Sequence, residues 1–328
     1  MSSADVVTLD SWSVIVLWTA IAVYAMAFVA YALDLARRSQ LSVQAKDRAA
    51  QLVGADGSAP YPSSPSAEEP AASSGSVMGR IGTTLTWIAF LLHLGATVLR
   101  GLAAGHVPWS NMYEFAMTGT LLVSAVYLGV LFWKPLTFIG AFMTGLVTVL
   151  LGASSVFYVE IVPLMDPLKS VWLVIHVFVA SLSTAFLALA FALSVLQLLQ
   201  ARRERRAIED PETARRKSAL RTLPSAEALE GTAYRFAIIG FIFWTFTLIA
   251  GSIWAQDAWG RYWGFDTKEV WTFIIWVLYA GYIHARATRG WRGTRSAWLS
   301  IVGFAAVIFN FTIVNVFFEG LHAYSGLS

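Results

Sequence analysis

Residues 171–199 read VWLVIHVFVASLSTAFLALAFALSVLQLL. No charged side chain interrupts this run. At about 1.5 Å of rise per residue it exceeds the roughly 20 residues that a helix needs to cross about 30 Å of hydrocarbon. Seven further runs share its character, at 12–33, 80–100, 113–133, 136–158, 234–254, 270–286 and 296–318. The whole chain of 328 residues is 57% hydrophobic and only 13% charged, with a mean hydropathy of +0.62. This composition predicts an all-α polytopic membrane protein with about eight transmembrane helices. The first run lacks a basic region before it and follows Asp5 and Asp10, so it reads as a retained span rather than a cleaved signal peptide.

The lysines and arginines set the orientation, because short basic loops stay in the cytoplasm. With an outer N-terminus, every one of the 23 lies inside except Arg100, Lys169, Arg261 and Lys268. Both termini are therefore expected on the outer face. The net charge of +3 comes from the inner loops and calls for no nucleic-acid partner. Three regions follow: a first transmembrane helix at 1–34, a Ser/Ala/Pro/Gly-rich flexible cytoplasmic linker at 35–79, and a seven-helix membrane domain at 80–328. A second charged segment, 202–221, reads as a cytoplasmic helix or loop.

The chain has no cysteine, which excludes structural disulfides, thiolate catalysis and thiolate metal ligation. No Walker loop or dinucleotide fingerprint points to nucleotide hydrolysis. Any metal must be held by His, Met, Tyr or carboxylate.

A histidine inside a span is costly unless partnered, so the five histidines are candidate site residues. His176 lies about 8 Å below the outer surface, five residues into the 171–199 run. His322 follows the last span, in FFEGLHAYSG, on the same face. Two neutral imidazoles from different helices suit the axial positions of an iron porphyrin, and the alternative for each is an interfacial histidine bonded to water or a carbonyl. His284 lies about 21 Å deeper, near the cytoplasmic side, as a snorkelling residue or as a ligand of a second, inner site. His93 lies nearer the outer leaflet, and His106 sits in an outer loop.

Between the sixth and seventh spans, residues 254–271 read WAQDAWGRYWGFDTKEVW. One reading is an aromatic belt at the membrane interface. The sharper one is a site for a flat apolar disc with carboxylate edges. Trp254, Trp259, Trp263, Phe265 and Trp271 would supply faces, and Arg261 and Lys268 the cations for propionates. Asp266 followed three positions later by Glu269 has the spacing of a helix N-cap with its capping partner.

WGRYWGFDTKEVWTFIIWVLYAGYIH, with SVWLVIHV upstream and GLHAYSG downstream, resembles the tryptophan-rich WWD haem-handling family, and within it the CcsA/ResC-type (also CcsB) subunit of System II cytochrome c biogenesis. HLGATVLRGLAAGHVPWSNMYEF is similar to the region around that subunit's second and third spans. The resemblance implies that 254–271 is the WWD loop, that His176 and His322 are axial ligands of haem b at the outer face, and that His284 belongs to an inner haem site. It also implies a haem-lyase reaction in which haem vinyl groups are joined to the CxxCH cysteines of apocytochrome c, with His176, His322 and Asp266 as candidate catalytic residues. Implied partners are a ResB-type membrane subunit, apocytochrome c and a thiol-reducing thioredoxin-like protein on the outer face, in a bacterial plasma membrane. Two departures stand out: Phe265 and Thr267 replace the Trp and Pro of the expected WGWDPKE, and the chain lacks the ResB-like portion of fused members. Other expectations are a haem exporter or chaperone without synthase activity, and a transporter whose tryptophans are only a belt.

Overall fold

The computed structural model of the chain describes residues 2–55, 76–210, 219–288, 291–318 and 320–321. Nine α-helices are present among the described residues: α1 Ser3–Ala55, α2 Val77–Ala104, α3 Met112–Leu131, α4 Gly140–Ser154, α5 Val171–Glu209, α6 Ala226–Trp259, α7 Thr267–Ala287, α8 Thr294–Phe311 and the short α9 Ile313–Phe317. No strand occurs among these residues, so the fold is all-α as expected. Seven helices are long and apolar enough to cross a membrane. The remaining expected span, 270–286, forms α7, but Lys268 and Glu269 at its start and Arg286 at its end leave it outside that set.

Helix α1 is longer than the first expected span. It runs 53 residues to Ala55, so residues 35–55 of the segment expected to be a flexible linker are helical. The stretch carries Leu, Gln, Ala, Lys and Arg, all good helix formers; the Ser/Pro/Gly composition that opposes a helix begins only at Gly54. The rest of that linker, 56–75, lies outside the described residues. Helix α5 likewise continues through the basic segment to Glu209.

The most extensive helix pairs are α5 with α6 and α1 with α2; α4 packs on α1 and α3, and α8 on α5 and α7. One charged cluster ties the first four helices together at one end of the bundle. Arg100, fully buried on α2, forms ion pairs with Asp10 of α1 at 2.7 Å and Glu114 of α3 at 2.9 Å, and donates to the Val159 carbonyl after α4 at 2.8 Å. The Tyr113 and Tyr158 rings flank its guanidinium. Glu114 also accepts from the Ser110 amide and hydroxyl, which fixes the loop entering α3.

Removing one member of a buried charge network leaves the others uncompensated, at a cost of about 3–5 kcal/mol. Arg100→Ala is therefore expected to lower the thermal unfolding midpoint in mild detergent and the yield of folded protein. An unchanged midpoint would show that the clamp contributes nothing to the helix arrangement.

Candidate functional site

The site is built on the α5/α6 seam. On α6, Gly240, Trp244, Thr247, Gly251 and Trp254 recur every three or four residues and so share one face. On antiparallel α5 the matching face carries His176, Ala180, Ser183 and Leu187. Two glycines let the backbones approach closely, as small residues do between membrane helices. At Gly240 a Cβ would fall 2.5 Å from Leu187 Cδ2, and at Gly251 it would fall 2.7 Å from His176 Cε1. Ser183 Oγ donates to the Gly240 carbonyl at 2.6 Å.

His176 thus lies flat in the notch over Gly251. Its Nδ1 is 3.0 Å from the Thr247 carbonyl, which can only accept, so the proton resides on Nδ1 and Nε2 carries the lone pair. This bond to a backbone carbonyl fixes the tautomer, as such bonds do for metal-ligating histidines. Trp254 stacks on the imidazole with ring centroids 5.9 Å apart and 15° between planes, and its Nε1 donates to the Pro167 carbonyl.

The loop after α6 closes with Gly260 in the left-handed region at φ 69° and leads to α7. Asp266 caps α7 and Glu269 completes a capping box, as the spacing predicted. Glu269 does more than cap. Its Oε2 accepts from both the Gly264 amide at 2.8 Å and the Asp266 amide at 3.1 Å, and Arg261 approaches its other oxygen at 3.7 Å. Two amides converging on one anion require the intervening residue to adopt the left-handed conformation, and Phe265 has φ 58°. For a non-glycine residue this costs about 1–2 kcal/mol.

Three chambers meet here, and His176 and Lys268 line all three. One, of about 60 Å³, lies under the loop between Trp254, Tyr262 and Trp263. Another, of about 90 Å³, is bounded by Trp109, Met112, Leu173 and Trp254. The third, of about 130 Å³, extends away from the loop between α3, α5 and α8. Lys268 Nζ donates to Asn315 Oδ1, and Asn315 in turn donates to the Met112 sulfur at 3.0 Å. Among the described residues, no three His, Asp or Glu side chains gather to hold a bare metal ion.

The structure therefore brings together His176, Trp254, Trp263 and Lys268. Trp259 packs behind Trp254 with centroids 4.8 Å apart, Arg261 is folded over Gly264 toward Glu269, Phe265 projects outward, and Trp271 packs on Phe309. His284 is exposed near the end of α7, and the sixteen residues separating it from Lys268 correspond to about 24 Å of helix. His93 is fully buried, with Nε2 2.9 Å from the Met117 carbonyl, and lines none of the three chambers. His322 lies outside the described residues; Leu321, which precedes it, donates its amide to Asp266 Oδ1 at 3.1 Å. The seam glycine Gly251, the Thr247 carbonyl, Asn315 and Met112 were not anticipated, although the heptad-like spacing of 240, 244, 247, 251 and 254 marks the seam face.

A helical bundle with a histidine at the meeting of three chambers, roofed by a tryptophan loop, defines a polytopic membrane protein with its candidate site at one end of the bundle. The chain belongs to the cytochrome c assembly protein family, whose profile matches residues 109–322, and it is of the CcsA type. It is 34% identical over 268 residues to the cytochrome c biogenesis protein CcsA of Guillardia theta, covering 76% of this chain and 86% of that one. It is 30% identical over 302 residues to CcsA of Gloeobacter violaceus, covering 77% and 88%. Among solved structures it is similar to the cytochrome c haem lyase CcmF, with a TM-score of 0.61 at 16% identity over 92% of this chain. The chain spans about half the length of that lyase, 46%. Its role lies in cytochrome c biogenesis, as a multi-pass membrane protein.

The Glu269 arrangement gives a direct test. Glu269→Gln keeps the shape but removes the charge that assists two amide bonds, and is expected to raise tryptic cleavage after Arg261. Phe265→Gly relieves the left-handed strain and should leave cleavage unchanged or lower it. Equal protection of wild type and Glu269→Gln would contradict the assignment.

Proposed function

We propose that the chain is the haem-handling subunit of a membrane cytochrome c synthase, which brings haem b to the outer face and presents it for attachment to the CxxCH cysteines of apocytochrome c. The observation that carries this reading is the convergence of three chambers on His176 and Lys268 beneath the tryptophan loop. The residues fit the ligand. His176 offers Nε2 to iron with its tautomer held by Thr247. Trp254 and Trp263 wall the two outer chambers with flat apolar faces, and Lys268 places a cation among them for a propionate. His322 directly follows a residue bound to Asp266, and in this reading it supplies the second axial nitrogen. Asp266 is then a positioning residue that fixes both α7 and the C-terminal segment.

Haem supplies the reacting groups: each cysteine S–H adds across one vinyl C=C, forming one C–S and one C–H bond with no net oxidation. The chain needs no cysteine for this, and its own contribution is to hold the ring, orient its edge and exclude water. The basic-residue bias supports an outer-face position for the tryptophan loop and both termini, and in this reading the membrane is a bacterial plasma membrane. A ResB-type subunit completes the inner site at exposed His284, and a thioredoxin-like protein keeps the substrate thiols reduced.

The test is reconstitution of the chain with its ResB-type partner, haem and a CxxCH peptide under reducing conditions. Covalent haem on the denatured peptide is expected, abolished by His176→Ala. Gly251→Ala, which displaces the imidazole, should reduce the yield by about 10–100-fold. Haem bound by the complex with no thioether product would reject the synthase and leave a haem exporter or chaperone.

A further inference from the structure

The inward chamber is not accounted for by a haem held among the outer tryptophans. It runs from His176 to Ala188 along α5, about 18 Å, which is more than half the hydrocarbon thickness. Its deep end is aliphatic, walled by Val123, Leu146, Leu150, Ala188 and Val307. A cavity of about 130 Å³ with so aliphatic a wall favours an apolar occupant over water, and protein interiors are otherwise close-packed. The rest of its wall carries polar groups. Thr120, Thr184, Thr247 and Thr272 all donate their hydroxyls back to their own helices. Two other polar atoms on the wall are buried and have no hydrogen-bond partner among the described residues: Ser181 Oγ on α5 and Asn310 Oδ1 on α8, whose residues are 4% and 5% exposed. The Asn310 amide lies 3.5 Å from Thr272, one turn inward of Lys268. Orphaned groups at membrane depth cost several kcal/mol each unless something satisfies them.

We propose that this chamber binds a single-chain amphiphile from the bilayer, its apolar tail along Val123, Leu146 and Ala188 and its small hydroxyl or carboxyl head between Ser181 and Asn310. The head's O–H donates to Asn310 Oδ1, and its oxygen accepts from Ser181 Oγ. The paired rings of Phe115 and Phe311, 5.0 Å apart, stand at the outer end, and Phe115 also faces the chamber that holds Trp109 and Trp254. The amphiphile thereby fills the space inward of His176 and closes the haem site from below. This goes beyond the haem reading and does not require it.

The experiment uses the full chain with its partner in nanodiscs and a diazirine-bearing stearic acid, cross-linked by light and mapped by peptide mass spectrometry. Labelling is expected on α3, α5 and α8 chamber residues, and competition by unlabelled stearate or by monostearoylglycerol tells a carboxyl from a hydroxyl head. Thr184→Leu with Ala188→Leu fills the deep end and should abolish this labelling. Asn310→Leu should weaken it several-fold. The haem absorption spectrum of the filled variant should match wild type, which also shows that it folds; absence of haem in the wild type itself would instead mark failure of the haem reading. Labelling confined to lipid-facing positions such as Leu91 and Val149, or competed only by haem, would overturn the proposal.

Discussion

How closely α5 and α6 can approach decides where the imidazole of His176 lies, and the rest of the site is arranged around that ring. Gly240 and Gly251 lie eleven positions apart on one face of α6. They let the neighbouring helix come near enough for Ser183 and His176 to bond directly to α6 carbonyls. In a membrane the hydrophobic effect does not drive helices together, so close packing and interhelical hydrogen bonds carry the association. The same contacts that hold the seam therefore hold the histidine. A ring that stacked on Trp254 without the Thr247 carbonyl would be free to exchange tautomers, and Nε2 would no longer be reserved as the acceptor nitrogen.

The buried charges of the bundle are partnered, as expected where desolvation is expensive. Arg100 clamps one end of four helices, and Arg286 pairs with Glu230 at the other end of the bundle at 2.6 Å. Glu269 gathers two amides and Arg261. The Lys268 side chain lines all three chambers and is held by Asn315. The strained backbone at Phe265 follows from Glu269: the loop accepts one residue in the left-handed region so that its amides can converge on a carboxylate.

Much of this was legible in the sequence, for reasons that can be named. Spans follow from hydropathy because the bilayer imposes a length, and the α7 entrance follows from Asp266 and Glu269 because capping depends on a fixed spacing. His176 was visible because an imidazole inside an apolar run is anomalous. Its partner was not, since a backbone carbonyl leaves no mark in the sequence. Arg100 read as one of four outer charges, whereas folding buries it among groups up to 90 positions away. Phe265 and Trp271 read as ring faces for a ligand, yet one projects outward and the other packs on Phe309, because composition does not say which way a loop residue points. The helical continuation of α1 to Ala55 was hidden by the Ser/Pro/Gly-rich residues that follow it.

The most direct measurement of the central claim is the reduced visible absorption spectrum of the purified complex carrying His176→Gly, recorded with and without free imidazole and set beside wild type. If His176 ligates haem iron, wild type shows a Soret band with resolved α and β bands, the variant loses or shifts them, and imidazole entering the vacated notch over Gly251 restores them. A variant whose spectrum equals that of wild type without imidazole would contradict the account, because the iron would then be held by residues other than the one on which the chambers converge.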